Sequence, residues 1–256
     1  MKTNNYILTI AGLDPSSGAG ITSDIKTFEA HQLYGLSVCT AVTVQNDTHF
    51  ESCKWIDVSF ILSQIEILFK RFEISVVKIG IIESWSVLLK VMETLKELNP
   101  EIIIVLDPIL KASAGFTFHD AQELTIFEKV LEKCDFITPN YDEIQALFPD
   151  KTIAQTIRYM MEKTNIYLKG GHSIDNKGWD NVYYNNTVTL SIPPRTKHVI
   201  YEKHGSGCVL SSALASNLLW TTDIKVACEN AKYYTEAFLN STTSLLGQHS
   251  YPLQKS

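Results

Sequence analysis

Along the chain, short apolar and β-branched runs alternate with longer stretches whose apolar residues recur every three or four positions. Runs of the first kind read as buried strands and stretches of the second as amphipathic helices. Residues 6–11 predict a strand ending at Gly12, and a helix follows from Gly18 with Ile21, Ile25 and Phe28 on one face. Further strands are expected over 36–45, 76–79, 102–106, 136–138 and 166–169. Helices are expected over 58–72, 86–98, 121–131, 142–147 and 153–162. Two alternating runs, 179–184 and 187–192, flank Asn185-Asn186 and read as a hairpin. After Gly205 the pattern is helical nearly to the end, interrupted near Thr221-Thr222-Asp223.

Strands separated by helices of this length make βαβ units and a mostly parallel sheet, with the late hairpin as an antiparallel extension at one edge. The fold class is therefore α/β. Ligands of such sheets sit at the carboxyl ends of the strands, so the residues just after each run carry the chemistry.

Composition narrows the class. With 256 residues, 45% hydrophobic and 20% charged, the chain suits one large globular domain over 1–256 rather than a disordered, collagen-like or coiled-coil protein. A net charge of −6 argues against nucleic-acid and anionic-membrane partners, while leaving room for a local anion pocket. No apolar run is long enough to span a bilayer, and no secretory signal follows Lys2. Five cysteines at wide spacings, none in a C-x-x-C pair, speak against zinc and thioredoxin chemistry and for a cytoplasmic chain with reduced thiols.

The strand ends are polar, acidic or rich in glycine. The first opens into Gly12-Leu13-Asp14-Pro15-Ser16-Ser17-Gly18-Ala19-Gly20, with Asp24 and Lys26 in the helix beyond. Such a loop admits an anion at the helix N-terminus, and it is equally an ordinary βα turn. Gln45 ends the second strand, where an amide reads both donor and acceptor edges of a heterocycle or simply opens a turn. Asp107 is a candidate Mg²⁺ ligand or a loop acid. Asn140 and Glu143 have the spacing of a capping box, and Glu143 is also a candidate near a metal-bound phosphate. Lys169, before Gly170-Gly171, suits a phosphate as a mobile point charge. Gly205-Ser206-Gly207-Cys208 opens a helix of small residues, whose free amides and dipole favour an anion. Cys208 falls in the first turn, where a thiol pKa is lowered, and the same segment also reads as a plain loop–helix junction with a buried cysteine. No P-loop, nucleophile elbow or H-E-x-x-H pair occurs.

Taken together, ILTIAGLDPSSGAGITSDIKTF, YGLSVCTAVTVQN, VVKIG, VLDPIL, FITPNYDEIQAL, YLKGGH and HGSGCVLSSALAS resemble the ribokinase-like kinases. Within these they resemble the hydroxymethylpyrimidine/phosphomethylpyrimidine kinases of thiamin synthesis. The likeness runs from about residue 6 to about residue 220 and is most specific in the opening and G-S-G-C segments. It implies a three-layer fold without a separate lid domain and a homodimer. It also implies two ATP-dependent steps, on 4-amino-5-hydroxymethyl-2-methylpyrimidine and then on its monophosphate. By position, Asp24 and Gln45 contact the aminopyrimidine above Gly12, and Ile81 and Ile109 form an apolar wall. Asn140, Lys169 and Gly205–Gly207 face the nucleotide phosphates. Asp107 and Glu143 hold Mg²⁺ through water, and Cys208, as a thiolate, accepts the substrate proton.

The chain departs from the family's usual pattern at Leu13, at Ser17 where glycine is common, at Ile81 where methionine is frequent, and at Lys203 where threonine is usual. The loop after Asp107 reads LKASAGFTF where many relatives have a K-S-G type segment. A pyridoxal, pyridoxine or pyridoxamine kinase on the same scaffold is the nearest alternative. A ligand sensor and a redox-active thiol protein lie further off.

Overall fold

The central parallel strands are mostly apolar on both faces because each face meets a helical layer. The computed structural model describes residues 5–110, 124–172, 178–186, 188–195 and 201–250. Its strands are β1 (Tyr6–Leu13), β2 (Tyr34–Gln45), β3 (Phe50–Trp55), β4 (Ile74–Ile79), β5 (Ile103–Leu106), β6 (Phe136–Ile137), β7 (Asn165–Leu168), β8 (Asp180–Tyr184) and β9 (Val188–Ile192). Its helices are α1 (Gly20–Ala30), α2 (Val58–Phe69), α3 (Trp85–Leu98), α4 (Leu124–Lys133), α5 (Tyr141–Leu147), α6 (Ile153–Met161), α7 (Ser206–Trp220) and α8 (Ile224–Leu239). Ile7, Val76, Val105, Phe136 and Tyr167 pack with Phe28 of α1, Val209 of α7 and Ala227 of α8. Their alternate neighbours Leu8, Val77, Ile104, Ile137 and Ile166 pack with Ile61, Leu88, Phe127, Ile144 and Ile157 of α2 to α6. The result is a helix–sheet–helix sandwich, as expected.

The sheet order is β3-β2-β1-β4-β5-β6-β7-β8-β9. Strands β2, β1, β4, β5, β6 and β7 run parallel. Chain order reverses between β1 and β4, so a crevice opens where their carboxyl ends diverge. The hairpin β8–β9 turns at Asn185 and Asn186, whose φ values of 52° and 54° are those of a type I′ turn.

Two expectations need correction. Antiparallel strands occupy both edges rather than one, because β3 pairs with β2. Only Phe50 of β3 is buried, so this edge strand lacks the apolar run that marks the others. The helical ending stops at Leu239, after which residues 241–250 form an irregular segment. The expected start of α4 at 121 lies outside the described residues.

The β1–α1 loop bends through Ser17, which sits at φ 62° and donates its N–H to Asp14 O at 3.0 Å. A side chain in that left-handed conformation is strained where glycine is not. Ser17→Gly is therefore expected to stabilise the protein by roughly 1 kcal/mol, less the extra entropy of the unfolded chain. A urea midpoint that does not rise would contradict this account.

Candidate active site

Helix α7 directs its N-terminus at the strand ends, and it reaches them because little stands in the way. Cys208 to Asn217 are all buried, and most are small. Gly205 caps the helix at φ 75°, with its Cα face against the backbone of Gly18 and Ala19, so any Cβ there would collide with main chain. The first-turn amides of Ser206, Gly207 and Cys208 lie where a helix has no internal acceptors for them.

Facing them is a cluster built from three strand ends. Asp107, after β5, is 1% exposed. Its Oδ1 accepts from Lys169 Nζ at 3.1 Å and Thr138 Oγ1 at 3.3 Å, and its Oδ2 from Ser211 Oγ at 3.3 Å. Lys169, after β7, also lies 3.4 Å from Glu143 Oε2. A Cβ at Gly207 would stand 3.3 Å from Lys169 Nζ and 3.7 Å from Asp107 Oδ2, so the helix amides, the ammonium and the carboxylate converge. Burial works against the Lys169 charge, but Asp107 and Glu143 together outweigh it and raise its pKa. Burial, aided by the Asp107 charge, raises the Glu143 pKa against the pull of Lys169.

The Asn140–Glu143 capping box is formed, with Glu143 N donating to Asn140 Oδ1 at 2.8 Å and Asn140 N to Glu143 Oε2 at 2.7 Å. The same oxygen that closes the box reaches Lys169, so capping aims Glu143 into the cluster. At the β1–β4 crevice, Gly12 lies under the Ile81 side chain and leaves no room for a Cβ. Half-buried Gln45 ends β2, and half-buried Ile109 follows Asp107.

Two expectations change. Asp24, taken from the resemblance as a substrate contact, is 0% exposed, and both of its oxygens are engaged. Oδ1 accepts from Lys78 Nζ at 3.0 Å and Ser212 Oγ at 2.7 Å, and Oδ2 from Lys78 Nζ at 2.9 Å and Thr9 Oγ1 at 2.6 Å. It is sealed behind α7 rather than turned to a ligand. Cys208 is no ready thiolate either. Burial, with Asp24 and Asp107 adding to it, pushes its thiol up to about 11, against the opposing pull of Lys78 and a Gly20 backbone hydrogen bond. Desolvation here exceeds the helix-terminus effect that the sequence position implied.

Three participants escaped sequence reasoning. Lys78 is a charge within an apolar strand run, and its position relative to Val76 faces it toward α1 and α7. That break in the pattern was the available signal. Asp14 and His204 lie 190 residues apart and join at 2.9 Å, linking the β1–α1 loop to the approach to α7. Burial disfavours the Asp14 charge, but bonds from His204, Ser16 and Ala19 hold its carboxyl below the usual range.

Known proteins resemble this chain over most of its length. The profile of the phosphomethylpyrimidine kinase family matches residues 14–254. The chain is 31% identical over 254 residues to the hydroxymethylpyrimidine/phosphomethylpyrimidine kinase of Haemophilus influenzae, covering 94% of this chain and 93% of that one. It is 34% identical over 221 residues to the Escherichia coli protein of the same name, covering 82% and 81%. The structure of phosphomethylpyrimidine kinase from Clostridium difficile 630 superposes with a TM-score of 0.75 at 29% identity, covering 91% of this chain and 98% of that one. A Staphylococcus aureus pyridoxal kinase in complex with ADP superposes with a TM-score of 0.83 at 21% identity over 98% and 96%, a likeness of fold alone.

The buried pair can be tested directly. Lys78→Met strands the Asp24 charge and is expected to destabilise by about 3–5 kcal/mol. Adding Asp24→Asn should restore part of that loss in urea unfolding, whereas strictly additive losses would show that the two side chains do not depend on each other.

Proposed function

The chain belongs to the phosphomethylpyrimidine kinase family, and on that premise we propose that the α7 N-terminus and the Lys169 cluster form its phosphoryl-transfer site. The reaction is ATP-dependent phosphorylation of 4-amino-5-hydroxymethyl-2-methylpyrimidine and then of its monophosphate, in thiamin biosynthesis. The observation that carries the site assignment is the convergence of Lys169 and Asp107 on Gly207, with Glu143 held against Lys169.

Phosphoryl transfer requires alignment and charge neutralisation more than covalent help. The amides of Ser206, Gly207 and Cys208, behind Gly205, meet the charge on the transferring phosphoryl group. Lys169 lies on the leaving side, and the Asn140 amide group reaches the nucleotide phosphates. Gly12, Gln45, Ile81 and Ile109 shape the pyrimidine pocket. Asp24 acts from behind it, by holding Lys78 and Ser212.

Asp107 and Glu143 are hard oxygen donors of the kind Mg²⁺ takes. Both Asp107 oxygens already accept protein hydrogen bonds, which favours contact through water. Among the described residues no group of three His, Cys, Asp or Glu side chains comes together, so these two carboxylates leave most of the ion's shell to water and phosphate. A Mg²⁺ held by Asp107 and Glu143 would supply positive charge to offset that of the nucleotide phosphates.

Cys208 remains a thiol at neutral pH and packs beneath the anion site. The substrate hydroxyl then gives up its proton late, as a loose transition state allows, to an oxygen of the transferred phosphoryl group or to water. The protein is proposed as a single ribokinase-like domain. Exposed Val42 and Val44, next to the β3 edge, support the homodimer that the family resemblance implies, and sedimentation measures it. Five unpaired cysteines support a cytoplasmic location. Among the described residues no helix is long and apolar enough to cross a membrane.

Coupled ADP release with the hydroxymethylpyrimidine, followed by product mass, is expected to show the monophosphate and then the diphosphate. A higher kcat/KM for pyridoxal in a parallel assay would replace this reading with the vitamin B6 one. Lys169→Met should lower kcat on the order of 10²-fold while the fold persists. Turnover should stay flat from pH 7 to 9. A rise of about tenfold per pH unit, tracking a group near 11, would instead make the Cys208 thiolate the base.

A further inference from the structure

The peptide that leads into α7 is held by a part of the chain that follows α8. His204 N donates to Leu245 O at 2.9 Å, and Lys203 Nζ donates to Thr242 O at 2.8 Å. Leu246 lies over the other glycine loop, where a Cβ on Gly18 would come within 2.8 Å of Leu246 Cδ2 and 2.6 Å of His204 Cδ2. This segment is braced from within. Thr242 Oγ1 and Ser244 Oγ both donate to Leu246 O, at 2.8 and 3.0 Å, and Gln248 N donates to Ser241 Oγ at 2.8 Å. Its far end is anchored by His249, whose ring lies 4.8 Å from that of Phe238 and whose Nδ1 lies 3.1 Å from Tyr234 OH.

Lys203 stands where threonine is usual in the family, and it is 7% exposed. Burial lowers its pKa somewhat, and its Nζ donates to Thr242 O. A threonine hydroxyl is too short for a lysine's span. Its neighbour His204 is clamped on three sides: by Asp14 at its ring, by Leu245 at its backbone and by Gly18 beneath it.

We propose that residues 242–246 are a positioning strap for phosphoryl transfer. Through Lys203 and His204 they fix the peptide whose Gly205–Cys208 amides meet the transferring group. Transfer depends on sub-ångström alignment of those amides, so slack in the strap lowers the rate without removing any group that touches substrate. The inference rests on the kinase reading above.

The test uses the full chain with Lys203→Met and Lys203→Arg. In the methionine variant, amide hydrogen exchange over residues 203–209 should speed up about tenfold while the rest of the molecule is unchanged. Its kcat should fall about tenfold, with KM for ATP and for the pyrimidine alcohol within about twofold of wild type. Arginine, which keeps the donor, should restore both. Unchanged exchange over 203–209, or a uniform rise everywhere, overturns the strap. Faster local exchange with wild-type kcat overturns its role in the reaction. An inactive wild type would defeat the kinase reading alone, since the exchange arm still decides the strap. If Lys203→Met does not fold, Leu246→Ala, at a 38% exposed position, carries the same expectations and the same refutations.

Discussion

One fully buried ammonium ties the sheet to the helices that carry the site. Lys78 projects from β4 into the layer where Val76 packs, and there it meets Asp24 of α1, which in turn binds Ser212 of α7 and Thr9 of β1. Burial disfavours the Lys78 charge, yet Asp24 reverses the effect and raises its pKa. Removing either partner would leave an uncompensated buried charge, so the pair ties the strand to both helices. The α7 N-terminus therefore arrives over the ends of β4 and β5 rather than beside them.

That placement resolves the apparent conflict between an acidic chain and an anionic substrate. The net charge of −6 describes the whole surface. At the site, Lys169 faces the first-turn amides of α7, and Asp107 and Glu143 keep the ammonium charged and oriented. Cys208 lies deeper, where burial, with Asp24 and Asp107 adding to it, raises its thiol pKa to about 11. An anion hole and a low-pKa thiol both call for positive potential, and the two part here because Cys208 is desolvated behind the amides.

Asp14–His204 and the segment after α8 extend the same logic to the loops. Glycines at 12, 18, 20 and 205 permit close approach, but permission is not position. Position comes from hydrogen bonds between residues 39 or more apart, such as Lys203 to Thr242 and His204 to Asp14.

The sequence by itself determined the layered α/β fold and the strand-end loops, because period-2 and period-3.6 patterns and glycine-rich turns are local properties. It also marked Asp107, Asn140, Glu143, Lys169 and Gly205–Cys208, since each follows directly on a strand or opens a helix. It did not reveal β3, whose polar edge carries no apolar run, or the end of α8. The sealing of Asp24 against Lys78, the burial that raises the Cys208 pKa, and the bonds that tie the peptide leading into α7 to Thr242 and Leu245 came from the tertiary fold. Those outcomes depend on desolvation and on partners distant in sequence, and neither is encoded in the spacing of neighbouring residues.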